Sequence, residues 1–225
     1  MVPDPSVFAP VVLVPIKPLA LAKSRLRGRL DDDACGALVL AMLHDTLTAI
    51  RAGHDGLILV MSEDAAYAEA LLAVGATTLP DDTRGYNEAV GAALASTAVV
   101  RAGAALIVPA DVPRATGADV RRAIEALRDA EVVVASAFDG GTALLGLRPP
   151  SAIATAFGPQ SAAAHMDAAR VAGQSAVMLD LPSLAADIDS LDDLLVTPDT
   201  LGAATRTFLA AYAALQEERP ARGRD

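Results

Sequence analysis

The chain has 225 residues and a net charge of −10, and 53% of its residues are hydrophobic while 3% are aromatic. An acidic chain without tryptophan is a poor candidate for binding nucleic acid, because that requires an extended basic surface and stacking aromatic side chains. The single cysteine, Cys35, excludes an internal disulfide and suits a reducing compartment. We expect a cytoplasmic protein that does not bind a membrane, because the sequence contains neither a signal peptide nor an uninterrupted membrane span.

Short apolar segments alternate with longer alanine-rich ones along the chain. The apolar segments predict strands at residues 11–16, 57–61, 104–108, 132–136, 143–147 and 176–179. The alanine-rich segments predict helices at residues 33–52, 65–74, 86–101, 117–129, 161–172 and 201–216. Uniformly apolar strands that alternate with helices are typical of a sheet buried on both faces, so the sequence predicts a doubly wound α/β fold. The length suits one domain over residues 1–217, followed by a disordered tail over residues 218–225.

A cationic segment directly follows the first predicted strand. It contains Lys17, Lys23 and Arg25, and residues 14–30 include no acid although the chain as a whole is acidic. In open α/β sheets ligands bind beyond the carboxyl ends of the strands, and Lys and Arg donate hydrogen bonds to phosphate oxygens. The segment therefore predicts a phosphate site. The alternative is an ordinary solvated basic surface.

Asp111 follows the third predicted strand in the segment "VPADVP", between two prolines. A carboxylate that is held in a fixed direction at the end of a buried strand is suited to bind a metal ion. The alternative is a turn aspartate that accepts a hydrogen bond from its own backbone. The residue alone does not distinguish these two interpretations.

Two more aspartates, Asp187 and Asp189, occur in the segment "DIDSLDDL". In extended backbone, side chains two residues apart point to the same side, and two such carboxylates repel each other unless a cation lies between them. The same segment also fits a helix start, because Ser190 and Asp193 have the spacing of a capping box. Both roles can coexist.

Two loop-to-helix joints carry polar residues. At the first, Gly85 precedes Asn87, whose amide can pair with a purine edge, although Asn and Gly are also common at helix starts for structural reasons. At the second, Gly158 and Ser161 open a helix whose free amides could bind an anion. His165 in that helix is more typical of a packing or surface histidine, so we do not include it in the predicted site.

Together these segments resemble the guanylyltransferase family that makes the activated precursor of the deazaflavin coenzyme F-420, from 2-phospho-L-lactate or from phosphoenolpyruvate. The resemblance covers nearly the whole chain and is carried by "VPIKPLALAKSRL", "PDDTRGYNEAV", "VPADVP", "GGTALL", "FGPQS" and "DIDSLDDL". It implies a mostly parallel, Rossmann-like sheet of the nucleotide-diphospho-sugar transferase type. It also implies GTP as a substrate and magnesium as the metal, as one or two ions.

The resemblance further implies a role for each group of candidate residues. The catalytic residues that face the triphosphate would be Lys17, Lys23 and Arg25. The nucleotide-binding residues would be Ser24, Asp82, Gly85 and Asn87, with Asp81 as the alternative to Asp82. The residues that bind the acceptor would be Thr142, Gly158 and Ser161. The metal-binding residues would be Asp111, Asp187 and Asp189.

In the implied reaction the acceptor's phosphate attacks the α-phosphorus of GTP and pyrophosphate leaves. The attacking oxygen is already anionic at neutral pH, so the enzyme needs cations that offset repulsion rather than a general base. We expect phosphoenolpyruvate as the acceptor, because the first segment looks most like the actinobacterial branch, and 2-phospho-L-lactate as the next choice. We also expect functional coupling to a downstream transferase.

Two alternatives to this function remain. A molybdopterin or sugar-phosphate nucleotidyltransferase of the same fold would also have a cationic loop and a later aspartate. Such enzymes usually carry a Leu-x-Gly-Gly-type loop after the first strand, where this chain has "KPLALAKSRL". A non-catalytic nucleotide-binding module is disfavoured by the three separated aspartates of metal-binding type.

Overall fold

The computed structural model describes residues 8–22, 29–81, 83, 85–186, 188 and 190–217. The strands in these ranges are β1 (Val11–Pro15), β2 (Ile58–Met61), β3 (Thr77–Leu79), β4 (Ala105–Ile107), β5 (Val132–Ser136), β6 (Thr142–Leu147) and β7 (Ala176–Leu179). The α-helices in these ranges are α1 (Asp32–Gly53), α2 (Ala68–Val74), α3 (Tyr86–Leu94), α4 (Thr97–Ala102), α5 (Gly117–Asp129), α6 (Ser161–Val171), α7 (Leu191–Leu195) and α8 (Ala203–Glu217).

The seven strands form one sheet in the order β3-β2-β1-β4-β6-β5-β7. Strand β6 is antiparallel to both of its neighbours, and the other pairings are parallel. The prediction of a mostly parallel sheet is therefore confirmed. Strands β1, β2, β4 and β5 end at one edge, which we call the carboxyl edge. Because β6 runs the other way, its first residue, Thr142, lies at this same edge.

Both faces of the sheet are buried along its five central strands, as the uniformly apolar segments predict. Along β1, Val12 and Val14 pack in a cluster with residues of α1, α2 and α5, whereas Val11 and Leu13 pack with residues of α3, α4 and α6. Successive strand side chains point to opposite faces, so a strand that is covered on both sides must be apolar at every position. The doubly wound arrangement follows directly from this pattern.

Helix α1 is, in the part of the chain that the structure describes, the one helix long and apolar enough to cross a membrane. It packs in the core against α5 and α8. Its buried Asp45 accepts hydrogen bonds from the backbone N–H groups of Ala204 at 3.0 Å and Thr205 at 2.8 Å, at the start of α8. A helix in the core of a folded domain can be as long and as apolar as a membrane span, so length and composition do not distinguish the two.

The structure differs from the sequence prediction at two elements. The single helix predicted over residues 86–101 is instead α3 and α4, because Ser96 adopts extended backbone, with φ −63° and ψ 148°, between them. Strand β3 was not predicted, since it is a three-residue edge strand with exposed threonines. The capping box at the start of α7 is confirmed, with hydrogen bonds between Ser190 and Asp193 in both directions.

Candidate active site

Two adjoining cavities open at the carboxyl edge of the sheet. The first, of about 460 Å³, lies between the segment after β1 and the start of α3. The second, of about 430 Å³, lies between the β5–β6 turn and the start of α6. Tyr86, Pro109 and Asp111 line both. Each cavity has the volume of a typical small-molecule site, and Asp111 lies where the two meet.

The segment after β1 brings Lys17 to the wall of the first cavity. Two residues hold this segment in place. Asp64 accepts hydrogen bonds from the N–H groups of Leu19 at 2.8 Å and Ala66 at 3.0 Å, and these bonds lower the pKa of its carboxyl group. The buried Tyr67 donates its hydroxyl proton to the Lys17 carbonyl at 2.6 Å. Sequence reasoning missed both residues, because their partners lie about 50 positions away.

Several of the predicted phosphate, nucleotide and metal residues lie outside the described residues. These are Lys23, Ser24, Arg25, Asp82, Asp187 and Asp189. Among the residues that are described, no group of three or more His, Cys, Asp or Glu side chains could hold a metal ion. The predicted convergence of three aspartates therefore stays a prediction, and Asp111 is its one described member.

The loop that carries Asp111 is fixed by Arg114 and Pro113. The buried Arg114 guanidinium donates from Nε to Thr200 Oγ1 at 3.1 Å and from a terminal nitrogen to the Asp193 carbonyl at 2.7 Å. The Pro113 carbonyl accepts from the Gly202 N–H at 2.7 Å. The chain that follows position 189 therefore packs against the loop that follows β4.

Tyr86, the first residue of α3, lines both cavities where they adjoin. Burial raises the pKa of its hydroxyl, and the negative charge of Asp111 raises it further. The tyrosine therefore stays protonated, as a hydrogen-bond donor at the boundary of the cavities. No sequence pattern singles out Tyr86, because a tyrosine in the first turn of a helix is commonly a packing residue.

The predicted nucleotide joint contains tight local hydrogen bonds. Gly85 is the N-cap residue of α3, and Asp81 Oδ1 accepts from both the backbone N–H of Thr83 at 3.0 Å and its hydroxyl at 2.7 Å. The side-chain amide of Asn87 pairs with the backbone N–H and carbonyl of Phe157. Contact of Asn87 with a purine stays a prediction, and its observed partner is the segment that enters α6.

The three predicted acceptor residues come together in the second cavity. Thr142, Gly158 and Ser161 all line it, and the Thr142 and Ser161 hydroxyl oxygens lie 2.8 Å apart. His165, which we did not include in the predicted site, contacts this pair, with its Nδ1 at 3.0 Å from Thr142 Oγ1. Its ring is fully buried, and burial lowers its pKa to about 4. Sequence reasoning missed it because β6, rather than any local motif, brings Thr142 to α6.

The expectation of free amides at the start of α6 is wrong for its first two residues. The Ser161 N–H donates to the Gly158 carbonyl at 3.1 Å, and the Ala162 N–H donates to the Gly140 carbonyl at 3.3 Å. Backbone carbonyls of the two adjoining loops thus satisfy these amides. The hydroxyl pair is consequently the better candidate for binding an anion at this wall.

The chain is similar in sequence to known proteins. Residues 10–211 match the family described as "Guanylyl transferase CofC like". The phosphoenolpyruvate guanylyltransferase of Rubrobacter xylanophilus is 37% identical over 191 residues, which cover 84% of this chain and 92% of that protein. The phosphoenolpyruvate guanylyltransferase of Salinispora arenicola is 37% identical over 205 residues, which cover 88% of this chain and 91% of that protein.

A solved structure confirms the fold class. The protein from Desulfovibrio desulfuricans G20, described as a nucleotide-diphospho-sugar transferase, superposes with a TM-score of 0.73 at 20% identity. The superposition covers 92% of this chain and 96% of that one. With the match over residues 10–211 and the two curated relatives, the chain belongs to the CofC-like guanylyltransferase family.

Proposed function

We propose that this chain transfers GMP from GTP to phosphoenolpyruvate and releases pyrophosphate, as a step of coenzyme F-420 biosynthesis. The observation that carries the proposal is the pair of cavities that meet at Asp111, one with Lys17 in its wall and the other with the Thr142–Ser161 hydroxyl pair. A transfer between two anionic substrates needs two adjoining sites with donors for phosphate and carboxylate oxygens. The names of the curated relatives support phosphoenolpyruvate over 2-phospho-L-lactate as the acceptor.

GTP would occupy the first cavity. Lys17, with Lys23 and Arg25 of the same cationic segment, would donate hydrogen bonds to the triphosphate and offset its charge. The apolar side chains of Leu21, Met42 and Met61 line this cavity and would contact the nucleoside. Ser24, Asp82 and Gly85 would recognise the nucleotide, and Asn87 would join them only if its amide leaves its partner Phe157.

Magnesium, as one or two ions, would be bound by Asp111 together with Asp187 and Asp189. The described part of this donor set fits, because Asp111 supplies a carboxylate where the cavities meet and carboxylate oxygens are preferred ligands of Mg²⁺. Arg114 supports the assignment further, since it ties the Asp111 loop to Asp193, four residues beyond Asp189. When bound, the cation would supply positive charge for the phosphates of both substrates.

The acceptor would occupy the second cavity, with its carboxylate and phosphate near Thr142, Gly158 and Ser161. The chain's task is to orient the acceptor so that a phosphate oxygen faces the α-phosphorus of GTP, and to exclude water. This oxygen is anionic at neutral pH, so the chain need not remove a proton from it. His165 does not act as a base in this arrangement, because its Nε2 already accepts from the Ala156 N–H and its Nδ1 contacts Thr142.

The function is tested by incubating the protein with GTP, magnesium and equal concentrations of phosphoenolpyruvate and 2-phospho-L-lactate, and identifying the products by mass. A parallel reaction with a downstream transferase removes the product and so prevents product inhibition from hiding activity. We expect the enolpyruvyl adduct and pyrophosphate. A dominant lactyl adduct would change the acceptor but keep the reaction class. No guanylylated product with either acceptor, with or without the transferase, would contradict the function.

We also infer one domain over residues 1–217 and a cytoplasmic location. The single sheet and the family match over residues 10–211 support the first inference. The second is supported by the low cysteine content, since Cys35 is the only cysteine of the chain.

A further inference from the structure

The hydrogen bonds of His165 determine which ring nitrogen carries the proton. Its Nε2 lies 2.9 Å from the backbone nitrogen of Ala156, and a backbone N–H can only donate. Nε2 must therefore be an unprotonated acceptor, so the neutral ring carries its proton on Nδ1. That proton points to Thr142 Oγ1, 3.0 Å away.

The tautomer in turn determines what the Thr142–Ser161 pair offers to the second cavity. The two hydroxyls have two protons, and their 2.8 Å contact uses one of them. Because the imidazole donates to Thr142, it takes neither proton, and one hydroxyl proton remains for the cavity. With the opposite tautomer, Nδ1 would accept a hydroxyl proton and the pair would present only lone pairs.

The surroundings of His165 favour this state. The side chain is fully buried, and the Phe157 ring packs edge-on against the imidazole with centroids 5.1 Å apart. Burial disfavours the charged imidazolium, and a protonated Nε2 would also clash electrostatically with the Ala156 N–H. Thr142 is 9% and Ser161 1% exposed, so water competes little with these directed hydrogen bonds.

From this geometry we propose that His165 is a positioning residue that, through its Nδ1–H, holds the Thr142–Ser161 pair as a hydrogen-bond donor for an anionic group of the acceptor. The inference rests on the proposed function, because it assigns the second cavity to a carboxylate or phosphate. His165 would touch neither substrate. It would determine that the Thr142–Ser161 pair, which contacts the acceptor, acts as a hydrogen-bond donor. Its effect should therefore fall on acceptor binding and not on GTP.

Two isosteric variants separate the two hydrogen bonds of His165. The amide of His165→Asn can occupy the place of Nδ1 and donate to Thr142, whereas the amide of His165→Gln reaches the place of Nε2 and accepts from Ala156. We expect His165→Gln to raise the acceptor KM by about 10- to 100-fold, as loss of a directed bond to a charged group would, with the GTP KM unchanged. His165→Asn should keep the acceptor KM close to that of the wild type.

The exposed Asp167→Asn on the same helix is the matched control and should change neither KM. Equal increases of the acceptor KM in the Asn and Gln variants, or a matching rise in the GTP KM, would indicate a merely structural histidine and overturn the inference. A wild-type protein without guanylyltransferase activity would instead contradict the proposed function.

A second measurement does not depend on activity. Nitrogen-15 NMR of the imidazole side chains in the wild-type protein distinguishes the two tautomers, with the His165 signal assigned by its loss in the variant. We expect Nδ1 to carry the proton and Nε2 to be bare at neutral pH. A proton on Nε2, or on both nitrogens, would overturn the inference whatever the kinetic results.

Discussion

The side-chain amide of Asn87 pairs with both backbone polar groups of Phe157, seventy residues further along the chain. Its Oδ1 accepts from the Phe157 N–H at 2.7 Å, and its Nδ2 donates to the Phe157 carbonyl at 3.0 Å. The Phe157 ring packs edge-on against Tyr86 and His165, each at 5.1 Å between ring centroids. The first turn of α3 thereby holds a wall of the second cavity.

Replacing Asn87 distinguishes its observed contact from the purine contact predicted from the sequence. If its main role is to hold Phe157, Asn87→Ala should raise the acceptor KM several-fold and leave the preference for GTP over ATP unchanged. Asn87→Asp should behave similarly, because its second oxygen would face the Phe157 carbonyl and repel it. Initial rates with both nucleotides provide the measurement. A lost preference for GTP, with a normal acceptor KM, would favour contact with the purine.

Asp111→Asn tests the carboxylate that both cavities share. We expect turnover to fall by about 100-fold or more and the magnesium requirement to rise, because an amide is a weaker ligand for a hard cation. The melting temperature without ligands should stay near that of the wild type. Asp199→Asn, at an exposed position away from the cavities, is the control. Near-normal activity of Asp111→Asn at ordinary magnesium would contradict a metal-binding role.

Replacing Asp45 should change the stability of the protein through a contact that lies outside the candidate active site. Its carboxylate accepts from Ala204 and Thr205 and so caps α8 from the middle of α1. Asp45→Ala should lower the free energy of unfolding by about 1–2 kcal/mol, a loss typical of an N-cap, and the melting temperature by about 2–8 °C. Thermal and urea unfolding provide the measurement.

A substitution at Gly202, which contacts Asp45, tests the same capping interaction in a second way. A Cβ added there would overlap the Asp45 carboxyl group, so Gly202→Ala should also displace the carboxylate and destabilise the protein. Because both changes disrupt one contact, the double variant should be less destabilised than the sum of the single variants. Additive losses would mean that Asp45 and Gly202 act independently.

The parts of the fold that the sequence predicted well depend on local pattern. The uniformly apolar segments at β1, β2, β4, β5 and β6 predicted strands because a sheet buried on both faces needs apolar residues at every position. The segment at β7 is apolar too, although this edge strand is only partly buried. The short edge strand β3 carries no such pattern. The break between α3 and α4 depends on the backbone of Ser96, which propensity in an alanine-rich segment does not indicate.

The candidate site was predictable where single residues follow strands, as Lys17 and Asp111 do. Thr142 and Ser161 could be named from the family resemblance, but no local pattern predicts their contact with each other or with His165. The reversed direction of β6 carries Thr142 to the carboxyl edge, where Ser161 and His165 of α6 contact it. A lone histidine in a helix has no local signal for such a contact, because its partners lie more than twenty positions away or in a loop.

The buried imidazole of His165 also predicts how stability depends on pH. Burial lowers its pKa from 6.5 to about 4 in the folded chain, whereas in the unfolded chain it titrates near the ordinary value. As the pH falls from 6.5 toward 4, the unfolded chain binds a proton that the folded chain does not. The free energy of unfolding must therefore decrease through this window, by at most about 1.4 kcal/mol per pH unit from this residue, and level off below it.

His165→Asn removes this contribution, so its unfolding free energy should fall less steeply between pH 6.5 and 5 than that of the wild type. Burial also lowers the pKa of His54, but both proteins keep that residue, so the difference between their slopes isolates His165. Urea unfolding at half-unit pH steps provides the measurement. Equal slopes would mean that His165 accepts a proton equally well in the folded chain, which its hydrogen bond from Ala156 and its burial do not permit.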